Sequence, residues 1–146
     1  MAYVITLNNG FYRIAETETD KNEHNIAYPP AVATSITDEQ FQKVKKNIAS
    51  VIVSSEGAIS FREEPSTNTF DSQEELDVYL NQVKRVCDQF LKPSSNSSKS
   101  IYSAVNTYRS LLDSYDYSSI TFPINGSWEK YCDDNSIAYV NPLQIP

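Results

Sequence analysis

The side chains that could do chemistry in this chain are few and widely separated. His24 is the only histidine, so a catalytic triad or general base that depends on histidine would have to use it. It lies in a polar stretch without a nucleophile motif, which predicts a solvated loop residue. Cys87 and Cys132 are too far apart for a CxxC metal knuckle, and we expect two reduced, buried thiols.

The acidic side chains occur in neighbouring pairs, at Glu63–Glu64, Glu74–Glu75 and Asp133–Asp134. Neighbours on a helix or strand point in different directions, so adjacency does not indicate a glycosidase dyad. The acidic pair before Asn135 lacks the alternating spacing of a calcium loop. The three glycines form no phosphate-binding motif. We therefore predict no enzyme activity, no cofactor and no metal site.

The formal net charge of −7 disfavours binding to nucleic acid, because such binding requires neutralisation of phosphates by basic side chains. The nearest basic run, Lys43 to Lys46, is short and is typical of a solvated helix face. No run of 18 apolar residues predicts a membrane span, and the first ten residues do not resemble a signal peptide. We expect neither a membrane nor nucleic acid as a partner.

The first 64 residues have the pattern of a small antiparallel β-rich region with one short helix. An Asn9–Gly10 step between two strands predicts a hairpin. Thr37 and Gln40 form a capping box at the start of the helix. The predicted elements are strands at 2–7 and 11–17, a loop at 18–30, a strand at 31–36, the helix at 38–48, and strands at 50–54 and 58–63 joined by a Glu56–Gly57 turn.

The second half is predicted to be helical after a polar linker at 64–72. Ser72 and Glu75 mark the start of a long helix at 73–91. A serine-rich joint at 94–100 leads into a second helix at 99–114, which should pack antiparallel to the first. Strands followed by helices favour an α+β fold. We expect one domain over 1–146, with 1–64 and 72–146 as possible subdomains.

The C-terminal stretch "SWEKYCDDNSIAYVNPLQIP" combines a short helix with an extended arm. Ser127 should cap the helix, with Trp128 and Tyr131 on its inner face and Glu129 exposed. The arm is apolar and interrupted by prolines, so it should lie in a groove of its own domain or of a neighbouring subunit. The residues predicted to bind a partner are Trp128, Tyr131, Ile137, Tyr139, Pro142, Leu143, Ile145 and Pro146.

Residues 119–146, "SITFPINGSWEKYCDDNSIAYVNPLQIP", resemble the C-terminal ending of small proteins of tailed, T4-like phages of cyanobacteria. The stretches "YPPAVATSITDEQFQKV" and "EGAISFREEP" are similar in style to short phage proteins that accompany tails. The resemblance implies a viral protein located in the virion or the host cytoplasm. It favours a non-enzymatic structural or assembly component that contacts other virion subunits or itself. The alternatives are a small modulator that binds a host protein, and, less favoured, an enzyme or metal-binding protein of unknown class.

Overall fold

The computed structural model describes residues 1–7, 10–27, 31–63 and 68–146. Over this part of the chain, strands dominate the first half and helices the second, so the predicted α+β class is confirmed. The chain divides into two compact units. The first contains Met1–Glu64 and also Leu143–Pro146, and the second contains Pro65–Pro142. The last four residues, which the sequence analysis grouped with 72–146, cluster with the first unit.

The first unit is built on an antiparallel sheet with strand order β2-β1-β3. Its strands are β1 (Ala2–Thr6), β2 (Tyr12–Ala15) and β3 (Val32–Ile36). The predicted β1–β2 hairpin is confirmed, and Gly10 has the positive φ of 82° expected after Asn9. Asn9 itself lies outside the described residues.

Helices and a second hairpin cover both faces of this sheet. Val4 and Ile5 are consecutive and point to opposite faces, yet both are fully buried. The Val4 face packs in one core cluster with residues of α2 (Asp38–Lys45) and of the hairpin β4 (Ala49–Val53) to β5 (Ile59–Glu63). The other face is covered by α1 (Glu18–Ala27), which packs on β1, β2 and β3.

The predicted loop at 18–30 is wrong where the structure describes it, because residues 18–27 form α1. The backbone N–H of Asp20 donates to Thr17 Oγ1 at 3.1 Å, and the N–H of Lys21 donates to the Thr17 carbonyl at 3.0 Å. Thr17 thus acts as an N-cap. Residues 28–30 lie outside the described part. Where the structure describes it, the N-terminal region therefore contains two helices, not the single short helix that was predicted.

The other predicted elements of the first unit are present, with different ends. The capping box of Thr37 and Gln40 is present at the start of α2. This helix ends at Lys45, before the predicted residue 48, and Asn47 follows with a φ of 58°. Such a positive φ cannot continue a right-handed helix, which explains the earlier end.

The second unit is organised around α3 (Gln73–Leu91) and α4 (Tyr102–Ser114). Ser72 Oγ accepts from the backbone N–H of Glu75, as the predicted cap requires. The buried stripe of α3 is Leu76, Leu80, Val83, Cys87 and Phe90. Ion pairs from Lys84 to Asp113 and from Asp88 to Arg109 show that the two helices run antiparallel, because the later residue of one pairs with the earlier residue of the other.

Three segments of the second unit differ from the prediction. Part of the expected linker forms β6 (Asn68–Phe70), which pairs with β7 (Ile124–Asn125). The serine-rich joint contains a 3₁₀ helix, Ser94–Ser98, in which Ser97 Oγ donates to the Ser94 carbonyl. Helix α4 begins at Tyr102 instead of residue 99. Among the described helices, none is long and apolar enough to cross a membrane.

Candidate functional site

The short helix α5 (Trp128–Asp134) places the only tryptophan in the interior of the second unit. Ser127 Oγ accepts from the backbone N–H of Lys130 at 3.0 Å, so the predicted N-cap is confirmed. Trp128 is fully buried, and its Nε1–H donates to the hydroxyl of Tyr108 on α4 at 3.0 Å. The helix is therefore anchored by a hydrogen bond as well as by apolar contact.

An aromatic cluster surrounds Trp128. Its ring stacks on Tyr131 with a centroid distance of 5.5 Å and an interplanar angle of 18°. Tyr115 meets the indole edge-on at 6.0 Å, and Tyr117 lies at 6.2 Å. These separations fall in the range in which aromatic pairs attract each other beyond simple burial. Three half-buried tyrosines thus pack around the buried indole.

Glu129 corrects the sequence prediction, which placed it on the exposed face. Its side chain is 1% exposed, and Tyr79 of α3 donates its hydroxyl hydrogen to Glu129 Oε1. The pKa of Tyr79 is raised well above its usual value of 10.0, mainly by burial and then by the charge of Glu129. Burial also raises the pKa of Tyr108, with Glu129 as the next cause. Both phenols therefore remain protonated and can donate hydrogen bonds throughout the neutral range.

Neither cysteine has the environment of a nucleophile. Both are buried as free thiols, Cys87 on α3 and Cys132 on α5. Burial raises the pKa of the Cys87 thiol to about 11 and raises that of Cys132 further. Since the thiolate is the reactive form, these positions favour packing over reaction at neutral pH. In the described part of the chain, no group of three or more His, Cys, Asp or Glu side chains could hold a metal ion.

The chain leaves α5 through Asn135 and Ser136, which has a φ of 56°. The backbone N–H of Ile137 then donates to the Cys132 carbonyl at 2.8 Å and fixes the start of the arm. Ile137 and Tyr139 are half-buried, whereas Val140 and Asn141 are buried. A single 3₁₀ turn, Pro142–Gln144, completes the arm, which is otherwise without helix or strand after α5.

The last four residues, which we name the C-terminal strap, are held within the first unit. Leu143 packs against the core cluster that contains Val4 and Phe41, and Ile145 is 5% exposed. His24 of α1 is fully buried, and its Nε2 lies 3.1 Å from the backbone carbonyl oxygen of Gln144. Because a carbonyl oxygen can only accept, His24 Nε2 must carry the hydrogen. The strap is thus held by the hydrogen bond from His24 to its backbone and by the burial of apolar side chains, Leu143 and Ile145.

The predicted partner-binding residues are distributed over both units. Trp128 and Ile145 are buried, and the others are half-buried. Trp128, Tyr131, Ile137, Tyr139 and Pro142 belong to the second unit; Leu143, Ile145 and Pro146 belong to the first. Their role in binding a partner stays a prediction. The structure adds that Trp128 and Ile145 are covered by their own chain, so an incoming partner meets these two side chains only after the segment is displaced.

His24 is the site residue that the sequence reasoning placed wrongly. The prediction of a solvated loop histidine fails because residues 18–27 form a helix and His24 is on its inner side. The available signal was Thr17 followed three residues later by Asp20, a cap pattern in a stretch otherwise too polar to suggest a buried helix. The contact with Gln144, which is 120 residues away, has no local signature.

Comparison with known proteins gives no similarity to build on. No family model matches the chain, and neither the curated proteins nor the solved structures contain a match.

Proposed function

We propose that this chain is a non-enzymatic phage protein that acts through protein–protein contacts, as a structural or assembly component of the virion or tail. The observation that carries the proposal is the attachment of the C-terminal strap to the first unit through His24, Leu143 and Ile145. The phage assignment itself rests on the resemblance of residues 119–146 to proteins of tailed phages.

The strap supports a contact function because its binding site accepts a short, proline-flanked segment that begins in the 3₁₀ turn Pro142–Gln144. The site holds the backbone at Gln144 and covers the apolar side chains of Leu143 and Ile145. Backbone hydrogen bonding combined with side-chain pockets is a common way to bind a short peptide. A second copy of the chain carries the same segment and the same site. Exchange of an identical element between copies is a low-cost route to assembly, because it replaces each contact by an equivalent one. The partners that fit are a second copy or another virion subunit.

The test is removal of residues 137–146 followed by comparison of the intact and shortened chains in particle assembly. We expect the intact chain to be present in purified particles at fixed stoichiometry. The shortened chain should not be incorporated. If the shortened chain keeps its stability and every partner contact, the strap does not have this role. Substitution of Leu143 and Ile145 by alanine in the full-length chain separates loss of the contact from loss of length.

The second candidate is a small modulator that uses acidic surface against a basic host protein. It is favoured by the net charge of −7 and by exposed acids near the start of α3 and the end of α5, which include Glu74, Asp77 and Asp133. Purified particles discriminate the two candidates. Absence of the chain from particles, together with salt-sensitive binding to one identified basic host protein, would favour the modulator.

A further inference from the structure

Helix α3 presents an outer face whose charge changes sign along its length. The residues of this face recur at helical spacing, opposite the buried stripe. In chain order the face consists of Glu74, Asp77, Val78, Asn81, Lys84, Arg85, Asp88 and Lys92. Lys84 is half-buried and the other seven are exposed, with Val78 at 63% exposure. We name these eight residues the α3 face.

The first part of the α3 face is acidic, and the last part is basic. Glu74 and Asp77 precede Asn81, and the basic residues follow it. Lys84 and Asp88 are engaged by α4: Lys84 lies 3.3 Å from Asp113, and Arg109 lies 2.8 Å from Asp88. These ion pairs compensate the charges near the middle of the face.

Arg85 and Lys92 are left as the exposed positive charges of the α3 face. Among the described residues, neither of them makes an ion pair. Both line a shallow depression of about 430 Å³ between α3 and α4, together with Asn81, Lys84, Asp88, Gln89 and Arg109. The acidic beginning and the basic end of one helix face are thus both open to solvent.

We propose that two copies of this chain associate through the α3 face, with the two α3 helices antiparallel. Residues 74 and 92 are equally distant from residue 83, as are 81 and 85. A two-fold axis near residue 83 therefore places Glu74 of each copy opposite Lys92 of the other, and Asn81 opposite Arg85. Residues 74 and 92 are separated by roughly 27 Å along the helix axis, so the acidic end and the basic end of the face lie far apart.

A second copy fits this face better than an unrelated acidic or basic partner does. A uniformly charged partner is attracted by one half of the α3 face and repelled by the other, whereas an antiparallel copy brings Glu74 and Lys92 together at both ends of the face. The same patch on both subunits is the requirement for a two-fold interface. Because the contacts are exposed charges, the association is expected to be weak and sensitive to salt. It involves no residue of the C-terminal strap and is independent of the proposed function.

The experiment is sedimentation equilibrium of the full chain and of two charge-reversed variants. One variant carries Glu74→Lys and Asp77→Lys, and the other carries Arg85→Glu and Lys92→Glu. We expect the full chain to dimerise at low salt, with a dissociation constant that rises between about 0.02 M and about 1 M NaCl. Each exposed ion pair contributes up to about fivefold in affinity and occurs twice by symmetry, so each variant alone should lose roughly tenfold or more.

The deciding measurement is an equimolar mixture of the two variants, which should restore dimer formation because each acidic half again meets a basic half. The same charges also interact favourably with the α3 macrodipole, but that effect is internal to one chain and mixing cannot restore it.

Arg62→Glu with Lys46→Glu, in the first unit, is the charge-matched control and should dimerise as the full chain does. If a reversed variant does not fold, Arg85→Gln with Lys92→Gln should still weaken the dimer. A full chain that is monomeric at low salt, or a mixture that fails to dimerise, overturns the proposal.

Discussion

His24 and Gln144 are joined by a hydrogen bond of 3.1 Å from the imidazole Nε2 to the backbone carbonyl oxygen, although 120 residues separate them in sequence. The histidine is fully buried, so its donor is protected from competition with water. This bond links the first helix of the chain to its last residues within one compact unit.

Replacement of His24 by alanine should destabilise the first unit and loosen the strap. The substitution removes the donor to Gln144 and leaves a cavity at a fully buried position. Together these should lower the free energy of unfolding by about 2–4 kcal/mol. Urea unfolding measures the free energy, and hydrogen exchange of the amides of residues 143–145 measures the loosening. Asn22→Ala on the exposed side of the same helix is the matched control. Unchanged exchange in the strap would contradict the role given to His24.

The bond between Trp128 and Tyr108 should appear as a coupling energy in a double-mutant cycle. Trp128→Phe removes the Nε1–H and part of the ring, and Tyr108→Phe removes the hydroxyl oxygen that accepts it. We expect each change to be destabilising, with a coupling of about 0.5–1.5 kcal/mol between them. Additive effects within the error of the unfolding measurement would show that the bond does not contribute.

The buried phenols should make the fold sensitive to alkali. The pKa values of Tyr79 and Tyr108 are raised above 10.0, mainly by burial, so the folded chain holds both protons after the unfolded chain begins to lose them. The resulting stability is complete below pH 10.0 and decreases as the pH rises above that value. The free energy of unfolding should fall by about 1.4 kcal/mol per pH unit for each phenol. Tyr79→Phe should lower the slope by one phenol's contribution, and an unchanged slope would contradict the assignment.

The thiols should react slowly in the native chain. Burial raises the pKa of Cys87 to about 11 and that of Cys132 above its usual value, so little thiolate is present at neutral pH. With an aromatic disulfide reagent at pH 8, both thiols should react at the rate of local or global opening and quickly in urea. Fast reaction of either thiol in the folded chain would indicate an activated cysteine and would argue for the enzyme alternative.

Local signals account for most of the secondary structure that the sequence predicts correctly. A helix start is fixed by the capping box at Thr37 and by the N-caps at Ser72 and Ser127. In each, the hydroxyl oxygen accepts from a backbone N–H three residues later. The β-rich runs on either side of the turn glycines Gly10 and Gly57 indicate the two hairpins from equally local signals.

The features that the sequence does not predict depend on distant partners. The local sequence predicts an exposed Glu129, but the side chain is buried and accepts a hydrogen bond from Tyr79, 50 residues earlier. Strand β6 forms only because β7 lies more than 50 residues later, and neither has a strong pattern of its own. His24 is buried in a helix whose composition is almost entirely polar. Tertiary contacts override local preference at each of these positions.

Binding of the C-terminal strap by the first unit can be measured with a labelled peptide and fluorescence anisotropy. The peptide has the sequence of residues 137–146, and the acceptor is the chain that ends at Pro142. We expect saturable binding to the shortened chain, weaker binding to the intact chain whose site is filled, and loss of binding with His24→Ala. Full-length chain with Leu143→Ala and Ile145→Ala serves as the acceptor if the shortened chain does not fold. Failure of the peptide to bind a folded acceptor with an empty site would contradict the claim that the first unit recognises the C-terminal strap, residues 143–146.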